Sequence, residues 1–95
     1  MYVIQLHFAA NKARAKDFMS AHNSWLQQGF DDGVFILAGS IDTAKGGAIL
    51  AHNESLIEVT ARIAQDPFVE NDVVNPKIIS ISASKTDPRL AFLAT

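Results

Sequence analysis

Two neighbouring segments, Val34-Phe35-Ile36-Leu37-Ala38-Gly39 and Gly46-Gly47-Ala48-Ile49-Leu50-Ala51-His52, carry the strongest indication of the fold. The first segment is a continuous apolar run that ends at a glycine. Such a run is typical of a buried strand, and we expect it to lie centrally in a sheet. The glycine pair begins a second strand, Ala48 to His52, and the turn residues between the two segments favour an antiparallel pair. Ile41 to Ala44 are predicted to be a loop or a strand extension.

On the N-terminal side of this pair, the sequence predicts one strand followed by one helix. Apolar and polar residues alternate from Tyr2 to Phe8, which is the period of a half-buried strand. Asn11 is a suitable N-cap for the helix. An apolar stripe of helical period runs on to Phe30, so we place the end of the helix at Gly33 rather than at Gly29.

On the C-terminal side, the sequence predicts a second helix, a turn and a last strand. Ser55-Leu56-Ile57-Glu58 is a capping-box pattern that begins a helix. The helix should end near Gln65, because a residue directly before a proline disfavours the helical conformation. Asp66-Pro67-Phe68-Val69 then form a tight turn or a single helical turn, and Pro76 to Ser84 form the last strand.

The predicted order of elements, β-α-β-β-α-β, indicates a ferredoxin-like α+β fold. In this fold a four-stranded antiparallel sheet carries both helices on one face. Because the chain is small, we expect the other face of the sheet to be covered by a second copy in a homodimer. Residues 1–84 make up the domain. Residues 85–95 are an apolar-rich tail that we expect to pack on the sheet edge or on a partner subunit.

Composition excludes several classes of function. The 95 residues suffice for one domain, and a hydrophobic share of 48% with 19% charged residues is typical of a globular chain. A net charge of -2, with no block of Lys or Arg, argues against nucleic acid or an anionic membrane surface as partner. The chain has no cysteine, no signal-peptide pattern and no apolar run of membrane-spanning length. We therefore expect a cytoplasmic protein.

One histidine stands out on the apolar stripe of the first predicted helix. Helical steps place Phe18, His22, Trp25 and Leu26 on one face. A polar group on a buried face needs a hydrogen-bonding partner, because without one it costs roughly 1–3 kcal/mol. Among the carboxylates, Asp66 has the most distinctive position, directly before Pro67 and after the second predicted helix. Contact between the side chains of His22 and Asp66 would distinguish an enzyme-like pocket from a packed core.

Each of these two residues has a functional and a structural interpretation. An imidazole titrates near neutral pH, so His22 is a candidate general acid or base with Asp66 as its orienting partner. His22 could equally be a structural histidine bonded to a backbone carbonyl. An aspartate directly before a proline is also a common helix N-cap, which is the structural interpretation of Asp66.

Other candidates are weaker on the residues alone. Ser40 could donate a hydrogen bond to a ligand from the end of a strand, or satisfy its own loop. Trp25 and Phe68 could line an aromatic pocket, or belong to the core. The three histidines do not have the spacing of metal ligands, so we predict neither a metal site nor a cofactor.

Several segments, in their order and spacing, resemble the YCII-related (YciI-like) domain family over roughly residues 1 to 84. The matching segments are Tyr2-Val3-Ile4, Ala21-His22 with Trp25-Leu26, Gly33 to Gly39, Gly46 to Leu50, Ser55-Leu56, and Asp66-Pro67-Phe68-Val69 with Val73. The resemblance implies a ferredoxin-like fold of the dimeric α/β-barrel type. It also implies a pocket centred on a histidine and an aspartate, which correspond to His22 and Asp66.

The resemblance further implies a small enzyme that uses no metal. One related family member is a dehydrochlorinase of a chlorinated hydroxyquinol, so we expect acid/base isomerisation or elimination on a small cyclic or aromatic metabolite. In this hypothesis His22 and Asp66 are catalytic. The alternative is a non-catalytic dimeric module that binds a small ligand or a partner. The residues assigned to substrate binding are Trp25, Gly39, Ser40, Pro67 and Phe68.

Overall fold

A computed structural model describes residues 1–42 and 45–94 of the chain. Thr43, Ala44 and Thr95 lie outside the described residues, and with them part of the predicted 41–44 segment. The elements are β1 (Tyr2–Phe8), α1 (Ala15–Asp31), β2 (Phe35–Ser40), β3 (Gly46–Ala51), α2 (Leu56–Ala64), α3 (Pro67–Glu70) and β4 (Val74–Ser80), with 3-10 turns at Lys12–Arg14 and Pro88–Leu93.

The four strands form one antiparallel sheet in the order β2-β3-β1-β4. This topology confirms the predicted ferredoxin-like α+β fold. The expectation that residues 34–39 form a central strand is wrong, because β2 lies at the edge and β1 and β3 are central. The apolar run misleads because β2 carries apolar side chains toward both faces of the sheet. The last strand runs from Val74 to Ser80, so it begins two positions earlier and ends four positions earlier than predicted.

Helix α1 ends at Asp31, and Gly33, two positions further on, forms the turn that terminates it. Gly33 has a φ of +74°, and its N–H donates to the carbonyl of Phe30, while the N–H of Val34 donates to the carbonyl of Gly29. These two hydrogen bonds form a Schellman motif, which confirms the predicted helix end. At the other end Asn11 differs from the prediction. It precedes a 3-10 turn, makes no side-chain cap, and donates instead to the carbonyl of Asn71.

Gly29 has a packing role inside α1. A Cβ atom at this position would overlap the ring of Phe35. That ring is buried and is held by edge contacts with Trp25 and Phe30, so it has little room to move. The glycine therefore allows α1 to lie close against the beginning of β2.

The hydrophobic core lies between the helices and one face of the sheet. A cross-strand row on that face joins Ala38, Ile49, Ile4 and Ile78. The helices add Val59, Ile63 and Phe68, which are all buried. The other face carries a second row, in which Leu37, Leu50, Val3 and Ile79 are paired neighbours across the four strands.

The C-terminal tail folds back onto the body of the domain. Its 3-10 turn buries Leu93 and brings the ring of Phe92 to 5.3 Å from that of His52. Ala94 forms a parallel bridge with Ala83. Within the described ranges, no helix combines the length and apolarity that a membrane span requires.

We expect Gly29→Ala to destabilise the protein although alanine favours helices. The helix propensity gain is about 1 kcal/mol, whereas overpacking against the fixed Phe35 ring costs about 1–3 kcal/mol. Urea unfolding measures the difference. Gly39→Ala is the control, because a Cβ at that position meets nothing within 4 Å. A Gly29→Ala protein at least as stable as wild type would contradict this packing argument.

The predicted capping box is present at the start of α2, where the Ser55 backbone N–H and hydroxyl lower the pKa of Glu58. A carboxyl whose pKa is lowered by folding contributes stability above its unfolded pKa and loses it as the pH falls through its folded pKa. Glu58→Gln keeps the capping geometry but has no carboxyl to protonate. We therefore expect the variant to lose less stability than wild type between about pH 5 and pH 3. Unfolding free energies measured across this range should converge for the two proteins at low pH. An unchanged pH dependence would contradict the assignment.

Candidate active site

The side chain of His22 lies between α1 and the short helix α3. Its Nδ1 is 2.7 Å from Oδ1 of Asp66. The ring stacks on Phe68, with ring centroids 4.0 Å apart and planes within 5° of parallel, and a Trp25 ring lies at 5.7 Å. The side chain is 13% exposed. Packing and a hydrogen bond together therefore hold the imidazole in one orientation.

Asp66 is fully buried and serves two partners through one oxygen. Its Oδ1 accepts the backbone N–H of Phe68 at 2.9 Å, which caps α3, and also faces His22. Its Oδ2 is buried without a partner among the described residues. The structural and the functional interpretations of Asp66 are thus compatible, because the same oxygen caps the helix and contacts the imidazole.

With Asp66 as a carboxylate, the hydrogen bond favours one tautomer of the neutral ring. A carboxylate only accepts hydrogen bonds, so Nδ1 carries the hydrogen and Nε2 carries the lone pair. No partner of the Nε2 atom of His22 occurs among the described residues. His22 can therefore exchange a proton through Nε2 while Asp66 holds the opposite side of the ring.

His22 lines a cleft between α1 and the sheet. The cleft consists of two adjoining cavities of about 200 Å³ and about 270 Å³ that share Leu6, His22, Gly39 and Gly47. The smaller cavity is otherwise lined by Leu26, Ala38, Ala48 and Ile49. The larger one is otherwise lined by Phe8, Ala15, Met19, Asn23, Ser40, Gly46, Phe68 and Val74. A mostly apolar concave surface with a few polar groups is typical of a small-molecule site.

The structure brings some of the predicted binding residues into this cleft and leaves others outside. Gly39, Ser40 and Phe68 line it. Trp25 packs behind His22, where its Nε1 donates to the carbonyl of Arg62 at 3.1 Å, and it does not line the cleft. Pro67 also lies outside the lining and occupies the first position of α3.

Two lining residues on α1 were not among the site residues assigned from the sequence. Met19 precedes His22 by three positions and therefore lies on the same face of the helix. Asn23 follows His22 directly and reaches the larger cavity. The helical spacing of Met19 was a usable signal, whereas nothing in the sequence marks Asn23.

An ion-pair network supports the packing behind His22. Arg62 donates to both carboxylate oxygens of Glu54, at 2.9 and 3.1 Å, and to Asp32 at 2.9 Å. The hydrogen bonds to Glu54 raise the pKa of Arg62, and those from Arg62 and Gln28 lower the pKa of Asp32. The network ties the end of α1 to α2, whose Arg62 carbonyl also holds Trp25.

The other two histidines lie away from the cleft. His7 faces Gln5 at 3.0 Å on β1, and His52 contacts Phe92 of the tail. In the parts of the chain that the structure describes, no three side chains of His, Cys, Asp or Glu converge as metal ligands would.

Comparisons with known proteins give a fold neighbour and a family. The fold is similar to 5-chloro-2-hydroxyhydroquinone dehydrochlorinase from Burkholderia phenoliruptrix AC1100, solved in complex with 2,5-dihydroxybenzoquinone. The TM-score is 0.69 at 15% identity, over 86% of this chain and 94% of that chain. Curated proteins gave no match. The sequence profile of the YCII-related domain matches residues 1–81. Because this match covers most of the 95 residues, the chain belongs to the YCII-related domain family.

Proposed function

We propose that this protein is an enzyme that isomerises, or eliminates a leaving group from, a small cyclic or aromatic metabolite. The observation that carries the proposal is the 2.7 Å contact between His22 Nδ1 and the fully buried Asp66, beside a cleft lined by the same histidine. His22 is the proton-transferring residue and Asp66 orients it. The chemistry uses no metal and no cofactor.

In the proposed reaction, Nε2 of His22 removes a proton from a carbon or hydroxyl group of the bound ring. The resulting imidazolium is stabilised by the Asp66 carboxylate, which stays ionised and keeps its hydrogen bond to Nδ1. In an isomerisation the proton returns to another atom of the substrate. In an elimination, the electron pair of the broken C–H or O–H bond forms a double bond in the substrate. The leaving group departs with the electron pair of the bond that held it, and the proton passes from His22 to solvent.

Two further observations support this proposal. The Phe68 ring stacked on His22 excludes water from one face of the imidazole, so the ring stays aligned during proton transfer. The structural neighbour is a dehydrochlorinase whose complex holds a flat six-membered ring compound. That reaction is an elimination of the class proposed here.

A second candidate is a non-catalytic module that binds a small ligand through the same cleft. The double role of Asp66 favours this module, because helix capping alone explains why an aspartate lies beside His22, without any reaction. Ligand-dependent stabilisation without consumption of the ligand would distinguish the module from the enzyme.

We also propose that the protein is a cytoplasmic homodimer that associates through the sheet face opposite the helices. The row of Leu37, Leu50, Val3 and Ile79 forms an apolar stripe across this face. Leu37 is 53% exposed and Ile81 is also exposed, although both are large hydrophobic residues. An apolar stripe of this kind is typical of a surface that a partner covers.

For the enzyme, we expect His22→Gln to lower kcat by about 10²–10⁴-fold, because the proton-transferring atom is lost. Chloride release from 5-chloro-2-hydroxyhydroquinone is the first assay, since the structural neighbour is named for this substrate. His52→Gln is the matched control, because His52 contacts the tail and not the cleft. Full activity of His22→Gln, or equal losses in both variants, would contradict the assigned role.

For the His22–Asp66 pair, we expect the ¹⁵N NMR spectrum of His22 above neutral pH to show the Nδ1–H tautomer in wild type. Asp66→Asn should lose this preference, because an amide can both donate and accept. Asparagine is also a good N-cap, so α3 should survive the change. Urea unfolding checks that the fold is retained. A wild-type ring protonated on Nε2 instead would contradict the proposed use of that atom as base.

For the dimer, we expect wild type to have twice the chain mass in light scattering and Leu37→Asp to have the mass of one chain. The charge is introduced at the exposed end of the apolar row, on the edge strand β2, where a partner would bury it. Ile57→Asp is the control, because Ile57 is 83% exposed on α2, away from this face. A monomeric wild type, or a dimeric Leu37→Asp, would contradict the proposed surface.

A further inference from the structure

The cleft beside His22 is lined by uncharged side chains. Among the described residues that line its two cavities, none is Lys, Arg, Asp or Glu, and the single titratable side chain is His22. A bound anionic group would leave water for this surface without meeting a cation. Transfer of an ion into an apolar site is strongly unfavourable unless a counter-charge is present.

The His22–Asp66 pair does not supply that counter-charge. With a neutral imidazole the pair carries one negative charge, from the buried carboxylate behind the ring. With a protonated imidazole the two charges cancel. With Asp66 ionised and the imidazole neutral, as the base proposed above requires, the pair is net negative and does not attract an anion.

The polar groups in the lining suit an uncharged ligand. Asn23 and Ser40 both line the larger cavity, beside His22. An amide and a hydroxyl each donate and accept hydrogen bonds, so they can bind hydroxyl or carbonyl groups without a charge. The apolar remainder of the lining, with Leu6 and Phe68, suits the faces of a ring.

We propose that the cleft selects an uncharged ring bearing hydroxyl or carbonyl groups and rejects its carboxylate-bearing analogues. Met19 is a specificity-determining residue in this inference. It lines the larger cavity on the same helix face as His22, and it presents a neutral thioether where a cation would admit an anion. The inference rests on the proposed function, because it takes the cleft to be the substrate site.

Lys12 is the strongest competing candidate for anion recognition. Its Nζ lies 5.3 Å from the ring centroid of Phe8, a residue that lines the larger cavity. Lys12 is itself exposed and does not line the cleft. Met19 is exposed as well, but position 19 lines the cavity and position 12 does not. The charge of Lys12 therefore acts on a bound ligand through solvent, which screens it, and we expect Lys12 to contribute little to ligand selection.

The experiment compares two probes of nearly equal shape and different charge, 4-hydroxybenzamide and 4-hydroxybenzoate. Calorimetry and NMR shift titration measure their affinities for the full chain near neutral pH. We expect wild type to bind the amide about tenfold or more tightly than the anion. Met19→Arg should raise the affinity for 4-hydroxybenzoate about tenfold and remove the preference. Met19→Gln, which has similar length and no charge, should keep the preference for the amide.

Three outcomes would overturn the inference. One is equal or tighter binding of 4-hydroxybenzoate by wild type, and a loss of that binding in Lys12→Met would then identify the lysine as the anion site. Another is an unchanged preference in Met19→Arg. The third is that wild type binds neither probe at millimolar concentration, since a ring-selecting cleft must take one of them.

These results are separable from the fate of the proposed function. Both titrations are binding measurements, and they give the same selectivity whether or not the protein turns a ligand over. Preference for the amide without turnover of any ring substrate would support the selectivity and contradict the enzyme. Turnover that depends on His22, together with preference for the anion, would support the enzyme and contradict the selectivity.

Discussion

The hydrogen bond between Asp66 and His22 is the constraint on which the site depends. The two residues are 44 positions apart, and their contact joins α1 to the entrance of α3. The same Asp66 oxygen accepts the N–H of Phe68, whose ring then stacks on the imidazole. One buried carboxylate therefore caps a helix, orients a ring and favours one of its tautomers. Because the carboxylate is fully buried, these interactions do not compete with water.

The sheet and the helices provide a rigid frame for this bond. Gly29 lets α1 approach Phe35 closely, and Trp25 wedges between that ring and His22. The Arg62 network ties the ends of α1 and α2 together behind the same tryptophan. His22 thus has the protein interior on one side and the cleft on the other. A site carried by packed helices is held more precisely than one carried by loops.

Much of the fold could be predicted from local patterns. Alternation from Tyr2 to Phe8 predicted β1, the Ser55–Glu58 capping box predicted the start of α2, and Gly33 predicted the end of α1. Each of these signals acts between residues close in sequence. The position of β2 in the sheet was predicted wrongly, because an edge strand with two apolar faces has the same composition as a central strand. Strand order depends on long-range pairing, which a run of apolar residues does not encode.

Local sequence signals were sufficient to predict the order of elements, to exclude cysteine chemistry and to identify the two residues most in need of a hydrogen-bonding partner. A histidine on an apolar helix face and an aspartate before a proline are visible without coordinates. The folded chain was needed to show that these two side chains touch, that Trp25 lies behind the imidazole rather than in the cleft, and that Met19 and Asn23 join the lining. Periodicity specifies which face of an element a residue occupies, whereas the neighbour on that face depends on how the helices and the sheet pack.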